Sequence, residues 1–341
     1  MKKYNVAVVG VGVVGIEMLR VLKQRNFPVN TLKVFARSAR DINVDGQVYA
    51  VEPITADGFN GIDIALFAGT EGEKGAAVTY AAEAVKRGAV VIDNGADFRM
   101  DPKVPLVVPE VNAADVKKHK GIISNPNCST IQMVVALYPL HKKFGIKKII
   151  VTTLQASSGA GKSAVEQLKE ETHLIAQGGF DNIQVNAANK SMPQQLAYNC
   201  FPHIGSFTEG DYTNEEWKLV NETHKIMHAP KIKISATTVR VPVRTGHSES
   251  IYIETAKPLT PQAARKILAK APGVVVVDEP KNNLYPMPKD SEGKDETFVG
   301  RIRQDAFNKK GLWLWVVADN LRKGAATNAV QIAECLISSS K

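Results

Sequence analysis

The N-terminal stretch constrains the fold most, because a short apolar strand, a glycine-rich turn and a helix follow one another without interruption. Residues 5–9, NVAVV, form a short run that is mostly apolar and β-branched, which is typical of a buried parallel strand. The motif GVGVVG occupies residues 10–15, and residues 16–22 show helical spacing. This order is the fingerprint of a dinucleotide-binding domain of the Rossmann type. A bare strand–helix turn is the alternative.

The predicted diphosphate site lies in this turn and in the first residues of the helix. The first glycine allows a tight turn, the second lets the backbone approach a pyrophosphate, and the third lets helix and strand pack closely. The site comprises Gly10, Gly12, Val13, Val14 and Gly15.

The end of the next predicted strand, at residues 32–36, indicates which dinucleotide is bound. An enzyme that selects NAD would place an acidic residue there to bind the ribose hydroxyls. The sequence instead has Arg37, Ser38 and Arg40. Two guanidinium groups and a hydroxyl suit a 2′-phosphate, so the pattern predicts NADP. A solvated basic turn is the alternative.

The octet NPNCSTIQ at residues 125–132 carries one of three cysteines. Proline restricts the residue before it, and the apolar side chains from residue 131 onwards have helical spacing. We therefore expect a tight loop that delivers Cys128 to the first turn of a helix. The N–H groups and the dipole there favour a thiolate and suit an oxyanion. Cys128 is thus a candidate nucleophile; a small buried hydrophobe is the alternative.

Two further segments carry candidate polar groups. His247 follows a glycine, which lets an imidazole approach a crowded site, and a histidine with a near-neutral pKa is the usual partner of a catalytic thiol. Glu215 and Lys218 are i,i+3 neighbours on a predicted helix at residues 211–224. The alternatives are an ordinary surface or core histidine and an ordinary surface ion pair.

Composition excludes several classes of protein. Of 341 residues, 44% are hydrophobic and 23% charged, as in a globular protein large enough for two domains. No apolar run has membrane-spanning length and no signal peptide is visible. Three cysteines indicate neither a disulfide framework nor a metal site, which fits the cytoplasm. The net charge of +9 is spread along the chain without aromatic–basic interleaving, so small anions are expected as partners rather than nucleic acid.

The octet around Cys128 resembles the active-site signature of the aspartate-semialdehyde dehydrogenase family, and further motifs match in the family's order over residues 5–338. The resemblance implies a two-domain α/β protein. Residues 1–128 and 320–341 would form a Rossmann-type NADP-binding domain, to which the C-terminal helix returns. Residues 129–319 would form an α+β catalytic and dimerisation domain.

The resemblance also implies roles for individual side chains. Gln155 would orient the acyl group, and Arg240 would bind the substrate carboxylate with its two-pronged guanidinium. Glu215 would bind an ammonium group, while Arg99 and Lys218 would bind phosphate. The catalytic residues would be Cys128, Gln155 and His247, and the substrate-binding residues Arg99, Asn127, Glu215, Lys218 and Arg240.

Further NADP contacts are expected from the resemblance at Gly69, Thr70, Ser158, Gly159 and Asn320, the last near the nicotinamide. The chain departs from the family in two places. The glycines of the N-terminal turn are usually spaced one residue wider, and Glu71 and Glu73 stand in a loop that is usually rich in glycine and serine. Carboxylates near a phosphate would repel it.

A thiol, a base and a nicotinamide together imply aldehyde oxidation through a thioester. The resemblance implies that the biosynthetic reaction converts L-4-aspartyl phosphate and NADPH into aspartate semialdehyde and phosphate, in the synthesis of lysine, threonine and methionine. It also implies a homodimer or homotetramer. One alternative is N-acetyl-glutamyl-phosphate reductase, whose substrate has no free ammonium for Glu215. The other is a non-catalytic paralogue, favoured only by the two departures from the family pattern.

Overall fold

The computed structural model describes residues 2–68, 75–180 and 191–339. The chain divides into two compact units, Met1–Cys128 with Gly324–Lys341, and Ser129–Lys323. The sequence prediction places the second boundary four residues earlier, after residue 319. No helix in these described ranges is long and apolar enough to cross a membrane.

The elements are numbered along the chain. The strands are β1 (Tyr4–Val9), β2 (Val29–Ala36), β3 (Arg40–Val44), β4 (Gln47–Pro53), β5 (Ile64–Phe67), β6 (Val90–Asp93), β7 (Ile122–Ser124), β8 (Ile146–Gln155), β9 (Lys233–Arg240), β10 (His247–Thr255), β11 (Val274–Val276), β12 (Thr297–Gln304) and β13 (Gly311–Ala318). The helices are α1 (Val13–Gln24), α2 (Ala76–Lys86), α3 (Pro109–Asn112), α4 (Cys128–Phe144), α5 (Lys162–Ala176), α6 (Asn214–Ile226), α7 (Pro261–Leu268), α8 (Pro288–Ser291) and α9 (Thr327–Ser339).

The first unit is built on a seven-stranded sheet with the order β3-β4-β2-β1-β5-β6-β7. Its strands are parallel except for the edge pair β3–β4. Both faces of β1 are covered: Val6 and Val8 pack in one apolar cluster, and Ala7 and Val9 in another. Each fully buried valine contributes roughly 1.5–3 kcal/mol, which explains why β1 is a continuous apolar run.

The glycine-rich turn has the geometry that its spacing predicts. A Cβ on Gly15 would overlap the carbonyl oxygen of Gly10, so that α1 packs against the turn only with glycine there. Helix α9 packs in the same cluster as α1, and Arg25 pairs with Glu334 at 2.8 Å. The predicted return of the C-terminal helix to the nucleotide-binding domain is therefore confirmed. This helix begins at Thr327, after a π-helical turn at Arg322–Ala326.

The second unit contains a six-stranded sheet with the order β11-β12-β13-β10-β8-β9. Strand β10 is antiparallel to both of its neighbours, β13 and β8, whereas β8 and β9 are parallel. The apolar patterns of the sequence predict strands at residues 148–154, 274–277, 298–305 and 312–317 and a β-rich segment at 235–243, which correspond to β8, β11, β12, β13 and β9. Strand β10 is not predicted. The sequence prediction also starts the helix that contains Glu215 at residue 211, three residues before the observed start of α6.

Candidate active site

Cys128 is the first residue of α4 and is partly exposed, as the sequence predicts. Its helix continues with Ser129 and Thr130, whose side chains are buried. N–H groups in the first turn of a helix have no intrahelical acceptor, and the helix dipole adds positive potential there. An anionic sulfur, or an oxyanion formed by its attack on a carbonyl, is therefore favoured at this position.

The loop before Cys128 is held by a buried network within the first unit. The Asn125 amide nitrogen donates to Asn94 Oδ1 at 2.5 Å and to the carbonyl of Ala325 at 3.3 Å. Asn328 of α9 donates to Asn125 Oδ1 at 2.7 Å and to the carbonyl of Val107 at 2.9 Å. These contacts fix the backbone that delivers the cysteine. Asn127, predicted to bind substrate, is 6% exposed in the same loop.

Arg99, predicted to bind phosphate, also supports this loop. Its Nε donates to the carbonyl of Asn125 at 3.0 Å, and its Nη2 to the carbonyl of Asn94 at 2.8 Å. The guanidinium is 5% exposed. Arg99 therefore adds positive charge beside the cysteine loop while holding the loop in place.

Three adjacent strands bring the polar side chains of the second unit to one edge of its sheet. Gln155 ends β8 and Arg240 ends the parallel strand β9, and the two are paired in register. His247 starts β10, which runs antiparallel to β8, with Ser248 opposite Leu154. The ends of β8 and β9 and the start of β10 therefore coincide. The sheet itself groups Gln155, Arg240 and His247.

The imidazole of His247 is completely buried. The backbone N–H of Ala156 donates to Nδ1 at 3.1 Å, so the neutral ring carries its proton on Nε2. Nε2 has no hydrogen-bond partner among the described residues. A Cβ on Gly159 would lie 3.0 Å from both Nε2 and Cε1, so glycine at this position lets the imidazole lie against the backbone.

The pKa of His247 is lowered to about 3, chiefly by burial and next by the positive charge of Arg240. The expectation of a near-neutral pKa is therefore wrong for the protein without substrate. Burial disfavours the charged form of the ring, and nearby guanidinium charge disfavours it further. The ring is neutral at physiological pH and presents an Nε2–H donor.

Gln155 and Glu215 are joined by a hydrogen bond from Gln155 Nε2 to Glu215 Oε1 at 3.2 Å, and both are nearly inaccessible. Lys218 donates to Glu215 Oε2 at 3.3 Å. The burial of Glu215 argues against an ordinary surface ion pair. A capping box at Thr213 and Glu216 fixes the first turn of α6, which carries Glu215.

Arg240 has its Nη1 donating to the carbonyl of Ala156 at 2.6 Å and is 4% exposed. The residue that follows Gln155 thus binds both Arg240, through its carbonyl, and His247, through its N–H. Sequence reasoning missed this role of Ala156, because a backbone contact leaves no mark on the residue type.

The residues predicted to bind NADP fall into three groups. The first group belongs to the first unit, where Gly12, Arg37, Ser38 and Arg40 are exposed. A Cβ on Gly12 would meet no described atom within 4 Å, and Arg40 Nη1 donates to Ser38 Oγ at 3.2 Å. An open glycine turn at a helix start, followed by two exposed guanidinium groups after β2, suits a diphosphate and a 2′-phosphate.

The second group belongs to the second unit. Asn320 Oδ1 accepts hydrogen bonds from Ser158 Oγ at 3.0 Å and from the N–H of Gly246 at 2.9 Å. The structure thus brings Asn320 together with Ser158 and Gly246, which precede Gly159 and His247 in the chain. The third group, Gly69 and Thr70, and the acidic residues Glu71 and Glu73 lie outside the described residues. Among the described residues there is no cluster of three or more side chains suited to a metal.

Comparison with known proteins gives a class that agrees with this arrangement. Residues 5–119 match the family described as "Semialdehyde dehydrogenase, NAD binding domain", and residues 137–323 match "Semialdehyde dehydrogenase, dimerisation domain". The chain is therefore an oxidoreductase of the semialdehyde dehydrogenase class.

Comparison with individual relatives identifies the family within this class. The chain is 54% identical to an aspartate-semialdehyde dehydrogenase of Aquifex aeolicus and 48% identical to one of Bacillus subtilis, with 98% and 97% of each chain covered. A crystal structure of aspartate semialdehyde dehydrogenase II from Vibrio cholerae, complexed with ASA, superposes with a TM-score of 0.92 at 41% identity, covering 99% of both chains. The chain belongs to the aspartate-semialdehyde dehydrogenase family.

Proposed function

We propose that the protein catalyses the NADP-dependent reductive dephosphorylation of L-4-aspartyl phosphate to aspartate semialdehyde, through a thioester on Cys128. The observation that carries this proposal is the grouping of Gln155, Arg240 and His247 at one sheet edge, with buried Glu215 bonded to Gln155. Family membership and the start of α4 at Cys128 support it. The reaction would serve the biosynthesis of lysine, threonine and methionine.

The substrate is bound by charge complementarity in this proposal. Arg240 binds the α-carboxylate, since its planar guanidinium forms two parallel hydrogen bonds. Glu215 binds the ammonium group, and its burial strengthens that interaction. Arg99 and Lys218 bind the phosphate, and Asn127 completes the substrate site. Gln155 orients the acyl group.

The first chemical step is attack of the Cys128 thiolate on the acyl phosphate carbonyl, which expels phosphate and leaves a thioester. NADPH, when bound, supplies the hydride that reduces the thioester carbon. The hemithioacetal then collapses, releasing the aldehyde and the thiolate. The negative charge that develops on the departing sulfur favours the imidazolium form of His247, which protonates the thiolate as a general acid. In the oxidative direction His247 acts as the base, which requires a free lone pair on Nε2 and hence the tautomer opposite to the one that the Ala156 N–H favours.

NADP is proposed as the nucleotide because the residues after β2 are basic and exposed. Gly10 to Gly15 would hold the diphosphate at the start of α1, and Arg37, Ser38 and Arg40 the 2′-phosphate. Asn320, with Ser158 and Gly159, would hold the nicotinamide end. A cytoplasmic homodimer or homotetramer is part of the proposal, which the description of the second family as a dimerisation domain supports.

The decisive experiment is an assay of the purified protein with aspartate semialdehyde, phosphate and either NADP or NAD. We expect steady-state reduction of NADP to require both aspartate semialdehyde and phosphate, and to be faster than reduction of NAD. N-acetyl-glutamate semialdehyde serves as the matched alternative substrate, and the Cys128→Ala variant as the blank. Faster turnover of the acetylated substrate, or activity in the alanine variant, would contradict the proposal.

A further inference from the structure

Glu249 is a buried acid that the proposed reaction does not use. It lies in β10 two residues after His247, so both side chains project from the same face of the sheet. Its side chain is completely inaccessible. Neither carboxyl oxygen has a hydrogen-bond partner of good geometry among the described residues.

Among the described residues, those opposite Glu249 in the sheet carry no compensating positive charge. Directly opposite it in the sheet are Thr153 of β8 and Val316 of β13, both uncharged. His247, the titratable group beside it on the same face, is neutral, as shown above. The polar group that interacts with the Glu249 carboxyl is the amide of Gln132 on α4.

Gln132 likewise has a buried side-chain atom without a hydrogen-bond partner among the described residues. Its side chain is completely buried, and its Nε2 donates to the backbone carbonyl of His247 at 3.4 Å. Its Oε1 has no donor among the described residues. A buried acceptor without a donor is costly, so α4 presents an unsatisfied oxygen on the side chain that interacts with Glu249.

A protonated carboxyl on Glu249 would supply the donor that Gln132 Oε1 lacks. Burial raises the pKa of Glu249 well above its usual value, and the Gln132 amide opposes that shift only in part. The neutral acid has one O–H donor, and Gln132 Oε1 is the buried acceptor that lacks one. One hydrogen bond then gives a partner to Gln132 Oε1 and to one oxygen of Glu249, whereas a carboxylate would leave Gln132 Oε1 without a donor.

We propose that Glu249 is a neutral carboxylic acid that donates its proton to Oε1 of Gln132, and that this bond positions the strand of His247 against the helix that begins with Cys128. Gln132 lies one turn after Cys128, and its amide also binds the carbonyl of His247. Glu249 is thus a positioning residue, joined through Gln132 to the two elements that carry the proposed nucleophile and acid. This role rests on the proposed function; the protonation state does not.

The kinetic test compares two substitutions at one position. In Glu249→Gln the amide N–H₂ replaces the O–H donor, so kcat stays near the wild-type value. Glu249→Leu has similar volume but no donor, and kcat falls by up to about 10²-fold, the effect of a small misplacement of reacting groups. KM changes little, since Arg240 and Glu215 are untouched. Glu254→Gln, on the same strand in an ion pair with Lys148, is the control and retains full activity.

Two further measurements separate positioning from a general loss of structure. Gln132→Leu also loses the bond to the carbonyl of His247, so it should lower kcat at least as much as Glu249→Leu. The double variant should be no worse than Gln132→Leu, because the bond between residues 132 and 249 is already absent there. Infrared difference spectra of the substrate-free protein at neutral pH should show the C=O stretch of a protonated carboxylic acid that Glu249→Gln lacks. This readout holds even if Glu249→Leu fails to fold.

The outcomes are distinguishable. Absence of the protonated-acid band overturns the assigned protonation state. Equal loss of kcat in Glu249→Gln and Glu249→Leu, or full kcat in Glu249→Leu, overturns the positioning role. An inactive wild-type protein contradicts the proposed function instead, and the infrared result then stands by itself.

Discussion

His247 is the residue whose chemistry depends most on its burial. In the proposed mechanism His247 exchanges a proton with the reacting groups, as an acid in the reductive direction and as a base in the oxidative direction, so replacing the ring removes this group. We expect His247→Asn to lower kcat by about 10²–10⁴-fold, the usual contribution of such a group. Steady-state rates with aspartate semialdehyde measure this. His173→Asn, on the exposed side of α5, should retain the wild-type rate; similar losses in both variants would remove the assignment.

The same burial makes stability depend on pH. The folded-state pKa of His247 is about 3, below the unfolded value of about 6.5, so between these values the unfolded chain binds the extra proton. The stability that the buried neutral ring of His247 contributes to the free energy of unfolding is therefore lost as the pH falls from about 6.5 towards 3. His247→Asn should remove this loss, so its stability relative to wild type should improve between about pH 7.5 and about pH 5. Urea unfolding at both pH values checks the sign.

Arg37 and Arg40 are the residues that test the choice of nucleotide. Both are exposed after β2, where two guanidinium groups suit a 2′-phosphate. Replacing both with alanine should weaken NADP binding much more than NAD binding, because only NADP carries that phosphate. Titration calorimetry with each nucleotide measures the difference, and Lys3→Ala, an exposed basic residue of the same unit, is the charge control. Equal losses for NADP and NAD would show that these arginines do not bind the 2′-phosphate.

At the scale of elements, the predicted strands are mostly confirmed, because their apolar runs are long and regular. Strand β10 was missed since His247 and Glu249 occupy covered positions where a strand pattern requires apolar side chains. Polar residues of the candidate site thus interrupt the apolar pattern by which the strand that carries them could be predicted. Helix α5 was also not predicted, and the edge hairpin β3–β4 has only Val44 and Val51 buried, too few for a recognisable pattern.

Helix α6 gives a prediction at this scale, since its capping box holds the turn that carries Glu215. Thr213 accepts from the N–H of Glu216, and Glu216 Oε2 accepts from the N–H of Thr213 at 2.8 Å. Thr213→Ala should lower the free energy of unfolding by about 0.5–2 kcal/mol and raise KM, because Glu215 loses its fixed position. Thr260 caps α7 by accepting a hydrogen bond from the N–H of Ala263, and Thr260→Ala should lower stability without raising KM. An unchanged KM in Thr213→Ala would separate the cap from substrate binding.

At the scale of the whole molecule, the candidate site rests on contacts that are distant in sequence. Asn328 is 203 residues from Asn125, yet it holds the loop that delivers Cys128. The sequence predicted Cys128 from its local loop–helix pattern and motif, whereas a buried asparagine on a C-terminal helix has no local pattern. Motifs therefore predicted the reactive side chains, and only the folded chain reveals the groups that hold them.

The whole reaction yields the last prediction, which concerns phosphate. If Cys128 forms a thioester, oxidation of aspartate semialdehyde has two separable halves, and only release of the acyl group requires phosphate. The positive charges of Arg99 and Lys218 support phosphate as the second nucleophile. Without phosphate we therefore expect a burst of NADPH, at most stoichiometric with active sites, followed by near arrest. Rapid-mixing absorbance measures the burst.

Added phosphate, or arsenate as its mimic, should restore steady turnover, because either anion resolves the thioester. The Cys128→Ala variant is the matched control: it should bind NADP yet give no burst, since no thioester forms. A dehydrogenase that hydrolyses its thioester would keep turning over in phosphate-free buffer, because water replaces phosphate as the nucleophile. Full steady-state turnover without either anion would thus exclude the phosphorylating mechanism, while a burst in the alanine variant would exclude Cys128 as the nucleophile.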